Sequence, residues 1–206
     1  MALVPKNTLP FGGRILLLNG TSSSGKTSLA KALQASLPQQ YLHVQLDAFR
    51  GMEPVGYFSK EQAASGSLRM AALCRAMHAT VAEFAAHGQN VIFDHVLSAE
   101  AWHYLFEDFK EQSLYLVGVH CAIAELVRRE RARDDRANGL AESQVGKIHE
   151  NREYDFSVDT SCSNPTDCAN AVVDWLQQAP VPLAFKRMRS RCDAVYPLQI
   201  PLDLRL

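Results

Sequence analysis

The residues that could do chemistry begin with an eight-residue stretch from Gly20 to Thr27. Glycines at both ends let the backbone curl so that successive N–H groups point inward, and a following helix would add the positive end of its dipole. Such a turn cradles the phosphates of a nucleotide, with Lys26 reaching the β- and γ-phosphates and the Thr27 hydroxyl holding Mg²⁺. The alternative is a Ser/Gly-rich turn that matches by chance. The predicted nucleotide-binding residues here are Gly20, Thr21, Ser22, Ser23, Ser24, Gly25, Lys26, Thr27 and Ser28.

Two aspartates end apolar runs, where open α/β sheets place their ligand-binding residues. Asp94 is predicted to hold Mg²⁺ together with Thr27, the alternative being a helix cap or a solvated strand end. Asp47 could orient an acceptor hydroxyl and accept its proton, or it could be an ordinary turn aspartate. Spacing alone leaves both interpretations of Asp47 open, and Arg50 could either assist it or be a solvated arginine.

A third set of candidates is a run of arginines after the fourth predicted strand. On a continuing helix, Arg129, Arg133 and Arg136 share one face, where their like charges repel. Glu125 and Glu130 could relieve that repulsion in a solvated, salt-bridged helix. We favour the alternative, in which the arginines form a lid that neutralises charge on a transferred phosphoryl group.

Two histidines, His95 and His149, could lie near the same place, but a lone histidine is more often a packed or surface residue. No catalytic role is assigned to either.

The elements that must position these residues alternate between strands and helices. This alternation predicts an α/β fold with a mostly parallel, doubly wound sheet. Residues Ala48–Ser65 are predicted to form a binding loop, and Leu140–Tyr154 a helix. Beyond Pro180 no helical pattern is recognised. The predicted strands are Ile15–Leu18, Tyr41–Leu46, Asn90–Val96, Leu114–Cys121 and Phe156–Thr160.

Composition places the chain among ordinary globular proteins. Its 206 residues fit a single domain, with a core from about 14 to 179 and a C-terminal extension over 180–206. A net charge of −1 argues against a generally basic nucleic-acid binder, and no apolar stretch suggests a signal peptide or a membrane span. Five scattered cysteines without a CxxC pair predict reduced thiols in a cytoplasmic protein.

Taken together, these segments resemble the chloramphenicol phosphotransferase-like family, small ATP-dependent kinases with an adenylate-kinase-like P-loop fold. The similarity extends from about Ile15 to Gln178. Its segments are Ile15–Thr27, Gln45–Asp47, Val91–Val96, Val117–Cys121, Arg129–Arg136 and His149–Thr160.

The resemblance implies a five-stranded parallel sheet with helices on both faces and an arginine-rich lid. It implies transfer of the γ-phosphoryl group of ATP to a hydroxyl of a small molecule, such as a chloramphenicol-like antibiotic or a related metabolite. Asp47 would be the general base, with Lys26, Arg133 and Arg136 also catalytic and Arg129 binding the nucleotide. Two alternatives remain, a nucleoside or nucleotide kinase and a non-catalytic ATP-binding regulatory module. The acceptor and the oligomeric state are left open.

Overall fold

The computed structural model describes residues 12–54, 63–110, 112–132 and 139–195. Its centre is a five-stranded, all-parallel sheet in the order β2-β3-β1-β4-β5, which confirms the predicted sheet. The strands are β1 (Ile15–Asn19), β2 (Tyr41–Gln45), β3 (Asn90–His95), β4 (Leu114–His120) and β5 (Phe156–Asp159).

Eight helices connect and cover these strands in the described part of the chain. Two of them begin with a side-chain cap: Ser98 Oγ accepts from the N–H of Ala101, and Asn164 Oδ1 accepts from the N–H of Asp167. The helices are α1 (Lys26–Ser36), α2 (Leu46–Arg50), α3 (Ala63–Ala86), α4 (Ala99–Asp108), α5 (Ile123–Arg131), α6 (Leu140–Gln144), α7 (Pro165–Gln177) and α8 (Ala184–Val195).

Side chains of β1 alternate between two hydrophobic layers, one on each face of the sheet. Leu16 and Leu18 pack into the layer beneath α1 and α7, whereas Ile15 and Leu17 pack into the layer beneath α3, α4 and α8. Both layers are fully buried at β1. A strand covered on both faces must be apolar throughout, which explains its unbroken run of four aliphatic residues.

Three segments differ from the sequence-based expectations. The chain forms helix α2 directly after β2, and α3 already begins at Ala63, so the predicted Ala48–Ser65 loop is wrong at both ends. Residues 55–62, the middle of that segment, lie outside the described residues. The predicted helix over Leu140–Tyr154 ends at Gln144.

Helix α8 is the third difference, because no helix was predicted there. Its Ala184, Phe185 and Met188 are buried in the layer that also holds α3 and α4. Asp155 fixes the start of this helix: its Oδ1 accepts from the N–H groups of Leu183 and Ala184 at 2.8 and 2.9 Å. The other oxygen of Asp155 accepts from the N–H of Leu116 in β4 at 2.9 Å. One carboxylate therefore ties α8 to the sheet.

All five cysteines are free thiols, in line with the predicted reduced state. No helix among the described residues is both long and apolar enough to cross a membrane.

Candidate active site

The loop from Gly20 to Thr27 links β1 to α1 and has the backbone that a phosphate cradle requires. Gly25 has a φ of 90°, a conformation that L side chains rarely adopt. At Gly20 an added Cβ would lie 2.4 Å from the carbonyl oxygen of Val119, so the neighbouring strand leaves no room for a side chain. Both glycines are therefore required by the loop geometry.

Polar groups of the loop are buried around this turn. Lys26 is 7% exposed, and its Nζ donates to the carbonyl oxygens of Gly20 and Thr21 at 3.0 and 2.8 Å. The hydroxyls of Ser23 and Ser24 are buried without a hydrogen-bond partner within the described residues. Buried hydroxyls of this kind are satisfied when a ligand supplies acceptors, as phosphate oxygens would.

Asp94 and Thr27 meet beside the loop. The Thr27 hydroxyl donates to Asp94 Oδ2 at 2.8 Å, and Gln45 Oε1 lies 3.5 Å from the same hydroxyl. Burial alone would raise the pKa of Asp94. The imidazole of His43, whose Nε2 lies 3.5 Å from Oδ2, the charge of Lys26 and the Thr27 hydroxyl together lower it. An ionised carboxylate and a hydroxyl are oxygen ligands of the kind that suit Mg²⁺.

Asp47 lies in the first turn of α2, just beyond the strand end at which it was predicted. It lines a cavity of about 490 Å³ together with Lys26, Thr27 and Asp94, so the structure brings these predicted residues into one space. Ser28 lines the same cavity. Arg50 is not among its lining residues, and its Nε lies 3.7 Å from Glu53.

Arg129 joins α5 to the phosphate loop through Thr160, to which the sequence pattern assigned no role. Its guanidinium donates to the carbonyl oxygen and the hydroxyl of Thr160 at 2.6 and 3.1 Å, and that hydroxyl donates to the carbonyl of Ser24 at 2.7 Å. Arg128 and Arg129 also bond Glu125 and hold the pKa of its carboxyl down to about 2. The salt bridge that the sequence suggested between Glu125 and the arginines of this helix is therefore present.

Glu130, the second glutamate of the salt-bridged interpretation, is a buried carboxylate that also binds the backbone. It is 2% exposed, and its two oxygens accept from the N–H groups of Gly139 and Ala141 at 2.7 and 2.9 Å. One buried carboxylate thus holds the backbone at the start of α6. Arg133 and Arg136, which the arginine-lid interpretation also needs, lie outside the described residues.

Behind the loop, a buried polar network joins three strand ends. Asn19 accepts from the N–H of Leu97 at 3.0 Å and donates to the Tyr154 hydroxyl at 2.8 Å. His149 Nδ1 lies 2.7 Å from that same hydroxyl. The sequence signal for Asn19 was its place between an apolar strand and the loop, whereas Tyr154 lies 135 residues away in the chain, so spacing could not reveal it.

Both candidate histidines are held neutral. Burial, with the adjacent His78, lowers the pKa of His95 to about 3, and burial, with His120 and Lys26, lowers that of His149 to about 4. His95 lines the cavity, whereas His149 forms a hydrogen bond with the Tyr154 hydroxyl. Both imidazoles are therefore in their uncharged form at neutral pH.

Comparisons with known proteins agree with this geometry. The chloramphenicol phosphotransferase-like protein family matches residues 13–177. A protein named "Putative O-phosphotransferase", found in two strains of Mycobacterium tuberculosis, is 30% identical over 200 residues, covering 87% of this chain and 89% of the relative.

Similar solved structures are P-loop kinases. A sugar kinase from Janibacter has a TM-score of 0.61 at 18% identity, covering 82% of this chain and 96% of its own. The Mycobacterium tuberculosis APS kinase in complex with AMPPNP and APS has a TM-score of 0.59 at 17% identity, with coverages of 82% and 99%. Shikimate kinase from Acinetobacter baumannii in complex with shikimate has a TM-score of 0.59 at 15% identity, with coverages of 81% and 94%.

At 15–18% identity the solved structures show only the fold of this chain. The family match, over residues 13–177, covers most of the chain and therefore shows the family. The fold is that of the P-loop kinases, as predicted, and the chain is a kinase that belongs to the chloramphenicol phosphotransferase-like family.

Proposed function

We propose that this kinase transfers the γ-phosphoryl group of ATP to a hydroxyl of a small molecule, with Asp47 as general base. The observation that carries the proposal is the shared cavity, in which Asp47 faces the same space as Lys26 and the Thr27–Asp94 pair. A phosphoryl donor and a proton acceptor on one cavity are what such a transfer requires.

On the donor side, the loop N–H groups and Lys26 bind the phosphates of ATP. Thr27 and Asp94 hold Mg²⁺, which when bound neutralises charge on the phosphate oxygens. Arg129 clamps the nucleotide through its bonds to Thr160, and Arg133 and Arg136 stabilise the charge that develops during transfer. The structure of the Mycobacterium tuberculosis APS kinase in complex with AMPPNP supports nucleotide use at this fold.

On the acceptor side, Asp47 orients the hydroxyl and removes its proton as the new P–O bond forms. The neutral imidazole of His95 borders the same space without adding charge. The acceptor is a small hydroxylated molecule, a chloramphenicol-like antibiotic or a related metabolite, and the reaction takes place in the cytoplasm. The O-phosphotransferase name of the relatives supports a hydroxyl as the acceptor group.

The proposal is tested by incubating the protein with Mg²⁺, γ-³²P-labelled ATP and a panel of hydroxylated acceptors that includes nucleosides and nucleotides. We expect label to move to a small non-nucleoside alcohol, and Lys26→Ala to abolish the transfer. Transfer only to a nucleoside or nucleotide would contradict the proposed acceptor and identify the protein as a nucleoside or nucleotide kinase. ATP binding without transfer to any acceptor would instead identify a regulatory ATP-binding module.

A further inference from the structure

Arg152 and Trp102 form a cationic site that the proposed donor chemistry does not use. The guanidinium carbon of Arg152 lies 5.0 Å from the centre of the Trp102 ring, so the cation stacks on the aromatic face. Arg152 is half-buried, whereas Trp102 is 1% exposed. Stacking engages the flat face of a guanidinium and leaves its in-plane N–H donors available for an anion.

Two nitrogen donors of this pair have no partner. Arg152 Nε and Trp102 Nε1 are both buried and make no hydrogen bond within the described residues. Buried donors are rarely left unpaired, because each gives up its hydrogen bonds to water. Two such donors in one stacked pair indicate that an acceptor is missing.

Nearby carboxylates are engaged elsewhere. Glu153 accepts from Arg187 and Arg191, and Asp155 accepts from the backbone N–H groups that fix α8. Arg152 therefore pairs with no carboxylate in the described ranges, although a half-buried arginine usually has one. Cation stacking alone would account for the position of the side chain, but it leaves both N–H donors unsatisfied.

Neither member of the pair lines the cavity that holds Asp47, but Trp102 lies on the same face of the sheet as α2. Trp102 is in the first turns of α4, which follows the end of β3 and its Asp94. It packs into the same hydrophobic layer as Leu46 and Phe49 of α2, the helix that carries Asp47. Arg129, on the nucleotide side, instead donates a hydrogen bond to the carbonyl oxygen of Thr160, directly after β5.

We propose that Arg152, stacked on Trp102, binds an oxyanion carried by the phosphoryl acceptor, so that the substrates are alcohols bearing a carboxylate or phosphate group. This inference rests on the proposed function. It narrows the acceptor class toward acidic metabolites and away from uncharged antibiotics. A charged guanidinium bonded to a carboxylate or phosphate provides both affinity and orientation, which positions the hydroxyl at Asp47.

The two tryptophans allow a local binding test. The protein is labelled with ¹⁵N and saturated with ADP and Mg²⁺, and the indole N–H signals of Trp102 and Trp175 are followed during titration with acetate or inorganic phosphate. Sodium chloride at equal ionic strength is the control, and Trp102→Phe assigns the signal. We expect saturable movement of the Trp102 signal, while Trp175, which stacks on Phe156, stays in place.

Variants then connect the signal to Arg152. Arg152→Ala should weaken anion binding by about tenfold or more, while Arg152→Lys keeps part of it. Arg187→Ala, which removes a nearby arginine that bonds Glu153, should leave anion binding unchanged. A response to acetate alone indicates a hydroxy acid as acceptor, and a response to phosphate alone indicates a phosphorylated alcohol. No saturable movement with either anion, or equal weakening by both alanine variants, overturns the inference.

The ADP affinity of the same samples reports the nucleotide site separately. A kinetic arm compares an acidic alcohol with its uncharged amide in the transfer assay, and we expect Arg152→Ala to lower kcat/KM for the acid only. Preference for the amide would refute the anion site and leave the phosphotransferase proposal standing. Failure of ADP to bind would count against the proposed function itself.

Discussion

The nucleotide half and the acceptor half of the cavity are built in different ways. The nucleotide half is one continuous stretch of chain, Gly20 to Thr27, reinforced by the hydrogen-bonded series from Glu125 through Arg129 and Thr160 to Ser24. The proposed acceptor half is assembled from two separate segments, Leu46 and Asp47 at the start of α2 and His95 and Val96 at the end of β3. A contiguous motif can be recognised from spacing, whereas a site assembled from distant segments cannot.

The chemistry of the ligands explains this difference. Phosphates are the same in every reaction of this type, so a loop of fixed backbone geometry serves them all. The acceptor varies, and its contacts come from side chains on loops and helix starts that can change without disturbing the sheet. Substitution of a single side chain should therefore affect different kinetic constants in the two halves.

The largest effect is expected in the nucleotide half, from Lys26→Ala. This change removes the buried cation beside the phosphates and should lower kcat/KM for ATP by about 10³-fold, because one preorganised donor of charge is lost. Steady-state kinetics and ADP binding measure it. The matched control is Lys31→Ala, which changes an exposed lysine of the same helix and should behave like the unaltered protein.

In the acceptor half, Asp47→Asn should reduce kcat by about 10²-fold or more while the KM for ATP stays unchanged, because a general base is lost and the phosphate site is not. Asp174→Asn, an exposed aspartate on α7, is the control. If Asp47→Asn were fully active, another group would have to accept the proton.

At the boundary between the halves, Asp94→Asn should raise the Mg²⁺ concentration needed for half-maximal activity by about tenfold or more, because a charged ligand becomes neutral. Mn²⁺ binding followed by electron paramagnetic resonance gives a second readout that does not need turnover. Thr27→Ser keeps the hydroxyl that bonds Asp94 and should change little. If Asp94→Asn needed no more Mg²⁺ than the unaltered protein, Asp94 would not be a metal ligand.

A further prediction concerns stability, and it involves the imidazole of His95 in the cavity and that of His149 outside it. The pKa values of His95 and His149 are lowered to about 3 and about 4, so the unfolded chain binds more protons than the folded one below pH 6.5. Stability should be full above pH 6.5 and fall as the pH is lowered, with a drop in Tm of about 10 °C by pH 5. Thermal melts measure this, and His149→Gln should show a shallower decline. Parallel curves for the two proteins would contradict the assignment.

Much of the fold could be predicted because its signals are local. The unbroken apolar run of β1 and the caps at Ser98 and Asn164 each depend on neighbouring residues. The helix predicted through Tyr154 failed because Gly146 and Asn151 adopt positive φ values of 81° and 55°, which no apolar periodicity reveals.

Helix α8 had a signal that its charges obscured. Phe185, Met188 and Cys192 recur at three- and four-residue steps, and all three pack against the core, but four basic residues lie among them. In the candidate site, Lys26, Thr27 and Asp94 were predictable, because strand ends of a parallel sheet meet at one edge. Thr160, Tyr154 and the Arg152–Trp102 pair were not, because only the packing of distant segments brings them together.

The attachment of α8 through Asp155 has a practical consequence for anyone who works with the protein. The family match ends at residue 177, before this helix begins. A version trimmed at that boundary would lose the side chains of Phe185 and Met188 that cover Phe106 and its neighbours, and Asp155 would keep only its bond to Leu116. The uncovered apolar face would favour aggregation. Expression and crystallisation should therefore include the chain through Val195, whatever boundary sequence similarity suggests.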